Sequence, residues 1–397
     1  MNDANQWRSL WTLDPAIAYL NHGSFGATPR AVLAQQNEWR QQVEAEPVQF
    51  FAERLEPLLD HARTKLGAFL GADPANLAFV PNATTGINTV LRSLALQPGD
   101  ELLVTNHEYN ASRNALDRVA ALTQATIVLA EIPFPLERAS QVVEAVMAKV
   151  SDRTRLFLID HVTSQTALVL PIQPLICQLA QRGVDTLVDG AHAPGMIPLN
   201  LEELGAAYYT GNCHKWLCAP KGSAFLYVRK EFHARLRPLV ISHGANSPRL
   251  EGVAPPEQAR SQFRLEFDWV GTADPTPYLC IPQAIEYMGS LLPGGWPQLM
   301  QHNHELAVAA RNLLCDRLHV PELCPAEMLG SMAVVPLPSH APATLYQSLF
   351  QEFGIEVPIM PWCEPYPLLL RVSAQLYNTL ADYDGLAQAL TLLLKQE

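Results

Sequence analysis

The feature of this sequence that most restricts its fold is a series of short, continuously apolar segments along its first two-thirds. "NLAFV" (around 77–81), "ELLVT" (101–105), "TIVLA" (126–130), "RLFLID" (155–160), "DTLVDG" (185–190) and "SAFLYV" (223–228) show no apolar–polar alternation, so each reads as a strand covered on both faces. Between several of them lie stretches such as "TTGINTVLRSLAL" and "PIQPLICQLAQRG". Their apolar residues recur at i, i+3, i+4 and i+7, as on one face of a helix. This alternation predicts an α/β fold, a mostly parallel sheet with helices on both faces. In such sheets ligands bind beyond the carboxyl ends of the strands.

A second region begins near residue 265. "WVGTADPTPYLCIPQAIEYM" and "PQLMQHNHELAVAARNLLCDRL" predict helices. "SMAVVPLP", "YQSLFQEFG", "GIEVPIM" and "LLLRVSAQ" then alternate before a C-terminal helix from about 380. At 397 residues the chain exceeds one ordinary domain of ~150 residues. The expected division is an N-terminal segment at 1–30 packing with the small domain and active site, a large domain at 31–265 and a smaller α+β domain at 266–397.

Composition narrows the function. With 48% hydrophobic and 17% charged residues the chain buries a large interior and is not disordered. A net charge of −12 without a basic cluster argues against nucleic acid as partner. The opening "MNDANQWRSLWTLDP" lacks the charged and apolar regions of a signal peptide, and no run of 18 apolar residues predicts a membrane span. Seven scattered cysteines without a C-x-x-C pair suit free thiols in a reducing cytoplasm. "NHEY" tempts toward a metal site but lacks H-E-x-x-H, and no metal is expected.

The unusual polar residues follow the predicted strands. After "NLAFV" come Asn82, Thr84 and Thr85, opening a helix whose first amides can cradle a phosphate or be capped by a threonine. Asp189 ends an apolar strand, where an unpaired carboxylate is costly and a cation or strong donors are required. His192 follows three residues later, either as a core histidine or as part of a site. Lys215, between His214 and Trp216, has the apolar setting that lowers an amine's pKa and makes it a nucleophile. A phosphate cradle, a strand-end aspartate, an aromatic ring and a lysine are the four parts that pyridoxal phosphate requires.

The motifs "YLNHGSFGATPRAV", "NATTGINTVL", "NHEY", "DHVTSQTALVLPI", "VDGAHAPG", "TGNCHKWLCAPKGSAFLYV", "GTADPTPYL" and "LLRVSAQLYNT" resemble class-V aminotransferase-like enzymes of the fold-type I pyridoxal phosphate superfamily, in particular the isopenicillin N epimerase-like branch. The resemblance extends over nearly the whole chain and implies a seven-stranded, mostly parallel sheet in the large domain. It implies Lys215 as the aldimine lysine and Asp189 as partner of the pyridine nitrogen. His192 and Ser164 would approach the phenolic oxygen and Tyr109 would stack on the ring. Thr84, Thr85, Asn212 and His214 would bind the phosphate, with Thr272 reaching that of a neighbouring subunit in a homodimer. Arg371 would clamp the substrate carboxylate, and Asn21 and His22 would line the substrate entrance.

Such a site supports epimerisation, transamination, elimination or desulfuration. The resemblance favours an amino-acid epimerase, with Lys215 as base on one face and Tyr109 relaying a proton on the other. The alternative is a C–S lyase or cysteine desulfurase with Cys363 as nucleophile, since desulfurases carry a cysteine in a comparable place; a class-V aminotransferase is also open. Substrate selectivity is expected to reside in loops such as 241–265. The intact set of Lys215, Asp189 and Arg371 argues against a protein that binds the coenzyme without turnover.

Overall fold

The computed structural model describes residues 4–246 and 260–394. The apolar runs assemble one seven-stranded sheet: β1 (Leu77–Val80), β2 (Glu101–Thr105), β3 (Thr126–Ala130), β4 (Thr154–Asp160), β5 (Asp185–Asp189), β6 (Tyr208–Asn212) and β7 (Ala224–Val228). Their spatial order is β1-β7-β6-β5-β4-β2-β3. Strand β6 is not one of the six apolar runs because Thr210, Gly211 and Asn212 interrupt its apolar character. The sheet is parallel except at β7, which runs antiparallel to both β1 and β6. Period-two alternation sends Phe157, Ile159, Val188 and Tyr209 into one core and Leu156, Leu158, Leu187 and Tyr208 into the other. Both faces are therefore buried, as expected, except at β3. That strand forms a sheet edge, and its Leu129 is exposed.

The second core is closed by α1 (Ala83–Ser93) and α2 (Asn110–Thr123). Gly86 lets α1 approach β6 closely, since a Cβ there would lie 2.2 Å from the Thr210 hydroxyl oxygen. The helix α3 (Gln262–Asp268) spans the expected boundary at 265, and its Phe263 and Phe267 join this same core.

Toward the C-terminus a three-stranded antiparallel sheet forms from β8 (Met332–Leu337), β9 (Ile359–Pro361) and β10 (Leu368–Ser373), in the order β9-β10-β8. Two long helices, α4 (Gly295–Leu318) and α5 (Leu380–Leu393), pack with it. The N-terminal segment joins this region directly. Ala18 and Tyr19 pair in parallel with Ile355 and Glu356, and the Ser373 amide donates to the Leu20 carbonyl at 2.9 Å. Among the described residues no helix is long and apolar enough to cross a membrane.

Candidate active site

The parallel strands end on a common edge, and the β6–β7 hairpin keeps its connection there. A strand that returns antiparallel needs no crossover, so residues 213–223 remain at the carboxyl edge. Lys215 sits in this connection. Gly26 packs against it at φ +69°, where a Cβ would come within 2.0 Å of the His214 carbonyl oxygen.

Lys215 opens into a cavity of about 340 Å³. Its Nζ lies 3.1 Å from His192 Nε2. Burial, and then the Arg371 guanidinium, bring its amine down to about 7. His192 is held neutral by burial and by the cations around it, and its buried Nδ1 has no partner. Asp189, 4% exposed, also lines the cavity. The Ala191 amide donates to its Oδ1 at 3.0 Å and the Ser112 hydroxyl to its Oδ2 at 3.1 Å.

The start of α1 forms another wall. Asn82 is the N-cap, taking the role open to Thr84, and its Oδ1 accepts from the Thr85 amide at 2.8 Å and the Thr85 hydroxyl at 3.0 Å. Thr85 is thus turned into the cap rather than the cavity. The Ala83 amide donates to Asn212 Oδ1 at 2.8 Å. Thr84, Asn212 and His214 line the cavity, the last donating from Nδ1 to the Ser223 carbonyl at 3.0 Å.

Tyr109 and Ser164 line the same space, Tyr109 with 44% of its surface exposed. Arg371 lies behind this wall on β10. Its Nη2 donates to Ser24 Oγ at 3.0 Å, its Nη1 to the Ser164 carbonyl, and its Nε has no partner. It is a buried guanidinium whose electrostatic neighbours among the described residues include no carboxylate.

Asn21, His22, Cys363 and Thr272 stand outside the lining of this cavity. Asn21 and His22 do not line the cavity; Ser24 and Phe25 do. His22 is fully buried and wedged under Lys215. Its Nε2–H donates to the Lys215 carbonyl at 3.1 Å, so its Nδ1 accepts from the Tyr377 hydroxyl at 2.7 Å. Asn21 accepts from Ser24 Oγ through Oδ1. Cys363 is an exposed residue of the turn between β9 and β10, outside the cavity lining, and adjacent Trp362 packs its ring 4.9 Å from that of His107. Thr272 lines a separate cavity of about 620 Å³ with Val48, Phe51 and Trp269. Of the segment 241–265, residues 247–259 lie outside the described residues.

Two residues escape the sequence argument, Asp160 in the cavity wall and Ser112 behind Asp189. Asp160 ends β4 as Asp189 ends β5 and is its register partner. Its position at the end of "RLFLID" is the signal that could have found it. Ser112 carries no such signal, because only the packing of α2 over the strand tips makes it a donor to Asp189. Among the described residues no group of three His, Cys, Asp or Glu side chains is placed to hold a metal ion.

A neutral-capable lysine, a donor-supported strand-tip carboxylate and a helix N-terminus around one cavity define an enzyme site suited to an aldehyde coenzyme bearing a phosphate, and the unpartnered His192 Nδ1 leaves a buried polar position for it. The chain belongs to the class-V aminotransferase family, a pyridoxal phosphate-dependent family whose sequence profile matches residues 18–386. It is 36% identical to isopenicillin N epimerase of Streptomyces clavuligerus, with 98% of each chain covered. It is 29% identical to a probable chloroplastic L-cysteine desulfhydrase of Arabidopsis thaliana, covering 96% of this chain and 84% of that one. In fold it matches the cystine C–S lyase C-DES, solved with its product cysteine persulfide, at a TM-score of 0.81 and 21% identity, with 94% and 97% covered.

Proposed function

We propose that this protein is a pyridoxal phosphate-dependent amino-acid epimerase that removes the proton from a substrate α-carbon and returns it on the opposite face. The observation that carries the reading is the convergence of Lys215, Asp189 and Thr84 on one cavity at the sheet's carboxyl edge. Bound there, the coenzyme supplies an electron-accepting ring that acidifies the α-proton of an attached amino acid. Lys215 would hold the coenzyme at its aldehyde carbon, and its free amine would serve as the base for the α-proton. Tyr109, at the cavity mouth, returns a proton from the other side. Asp189, as a carboxylate, would accept from the ring nitrogen and keep the proton on it. Thr84 and the first amides of α1 receive the phosphate with Asn212 and His214, while His192 and Ser164 stand by the phenolic oxygen.

Arg371 provides the carboxylate clamp. A buried guanidinium bonded, among the described residues, only to serine and carbonyl oxygens retains its full charge for an incoming anion. Thr272 is assigned to the partner's coenzyme in a homodimer. The apolar surroundings of its cavity and the exposed Val48 (83%) and Val270 suit burial against a second copy. The three-part division, with its second boundary moved from 265 to beyond Asp268 so that α3 stays with the large domain, and a cytoplasmic location complete the reading; all seven cysteines are free thiols.

Deuterium exchange tests it. Amino acids recovered from the holoenzyme in D2O should carry deuterium at Cα with inverted configuration and no release of sulfide or pyruvate. The second reading, C–S lysis by β-elimination, draws on the likeness to cysteine desulfhydrases, and stoichiometric sulfide release from cysteine would establish it instead. The exposed turn position of Cys363 weighs against a persulfide route.

A further inference from the structure

Two aspartates close adjacent parallel strands side by side. Asp160 ends β4, Asp189 ends β5, and the two are register partners, ~4.8 Å apart across the sheet. Alternation places both on the face of Leu158 and Leu187, under α2. Both are buried and both line the active-site cavity. Two carboxylates on neighbouring strand tips, buried and raising one another's proton affinity, do not both ionise, so the pair retains a proton.

The donors decide which member holds it. Asp189 accepts from the Ala191 amide and the Ser112 hydroxyl, one on each oxygen. Asp160 receives only the Tyr109 amide, and its Oδ1 is buried without a partner. The charged groups facing Asp160 are Asp189 from β5, Glu108 from the loop after β2 and Lys215 from the β6–β7 connection. Two of these three are acids. Burial, followed by Asp189 and Glu108, pushes the Asp160 carboxyl well above the usual range.

We propose that Asp160 is the proton-bearing member of a carboxyl pair whose ionised member is Asp189, and that it acts as a positioning residue for the ring nitrogen of the coenzyme. This rests on the pyridoxal phosphate reading above. With its proton, Asp160 fills the place beside Asp189 without adding a second negative charge, and the donors on Asp189 remain Ser112 and Ala191. Each donor stabilises negative charge on Asp189, which leaves the ring proton on nitrogen. The pair presents one negative charge to one cation, where two ionised aspartates would repel each other in the same wall.

Difference infrared spectroscopy of the apoprotein at pH 7.5 tests the protonation without coenzyme. Asp160→Asn should remove a protonated-carboxyl stretch; loss of a carboxylate stretch instead would overturn the proposal. In the holoenzyme Asp160→Ala should lower kcat at least tenfold. Asp160→Asn, neutral and of the same shape with an N–H donor, should recover it to within about threefold of the parent. An Asn variant as impaired as the Ala variant would show that a charge is needed and would also overturn it. Borohydride labelling separates the two readings. If Lys215 is not labelled the coenzyme assignment fails, while the infrared result still decides the state of Asp160.

Discussion

The amine of Lys215 should titrate near neutrality in the apoprotein. An ordinary lysine loses its proton around 10.5, whereas burial and then Arg371 bring this one to about 7, against the opposing pull of Asp189. At pH 7 about half of Lys215 is free amine, compared with about one in 3,000 for an ordinary lysine, a reactivity advantage of ~10³ per residue before access is considered. Access scales the rate but does not move the midpoint. The assay is therefore acylation with trace reagent across pH 5.5–10, read by peptide mass spectrometry on the segment around residue 215. Labelling should rise through about pH 7 as the neutral amine forms. Arg371→Leu removes the larger charge effect and should move the midpoint up; Asp189→Asn removes a stabilising anion and should move it down. Linkage has a definite sign. Between about 7 and 10.5 the unfolded chain holds a proton that the folded chain has lost, so this group makes the apoprotein more stable as pH rises through that window. A midpoint at the ordinary lysine value, or a downward shift in Arg371→Leu, would refute the electrostatic account.

Three further outcomes follow from single contacts. His22→Ala strips partners from the Tyr377 hydroxyl and the Lys215 carbonyl and should cost about 2–4 kcal/mol in chemical denaturation; an unchanged midpoint would return His22 to the cavity lining. Gly86→Ala forces a methyl against Thr210 and should cost about 1–3 kcal/mol while weakening phosphate binding at the start of α1, measurable by thermal melting and pyridoxal phosphate titration. Cys363→Ala, in a turn away from the cavity, should retain whatever sulfide release the parent shows; its loss would restore the persulfide mechanism.

The layout of the site follows from a rule visible in the sequence. Strands buried on both faces imply a covered parallel sheet, and the sheet puts its chemistry at the strand tips. Asp189 and Thr84 were placed in this way because each ends or follows an apolar run, and Lys215 because it precedes one. The N-terminal contribution was not. "LNHGSFG" offers four polar or small residues in a row, and its pattern gives no means of telling which of them faces a ligand. The answer depends on distant partners: Tyr377 and the Lys215 carbonyl draw His22 inward, while Ser24 turns to meet Arg371. Long-range hydrogen bonds of this kind leave no local periodicity. Cys363 misleads for a related reason. Proximity to Arg371 in sequence suggests proximity in space, but six residues of hairpin turn separate β9 from β10 and carry the thiol outward.

Asp160 could have been found without coordinates. In a covered parallel sheet the interior positions of a strand are kept free of acids on energetic grounds, since an unpaired buried carboxylate is costly. An acid can therefore terminate such a strand only at a point where the sheet meets donors, cations or a ligand. "RLFLID" and "TLVD" end in the same residue type, and their strands are consecutive in sequence and joined by a helical crossover, which makes them the natural parallel neighbours. Two aspartates on neighbouring tips with matched parity must face the same way. Their common face then holds one charge more than a single coenzyme nitrogen balances, and the excess is removed most cheaply by a proton. The pairing observed between Asp160 and Asp189 is the structural form of that argument. Where a relative of this fold replaced the first aspartate by asparagine, the same site would carry the same net charge with no proton to hold.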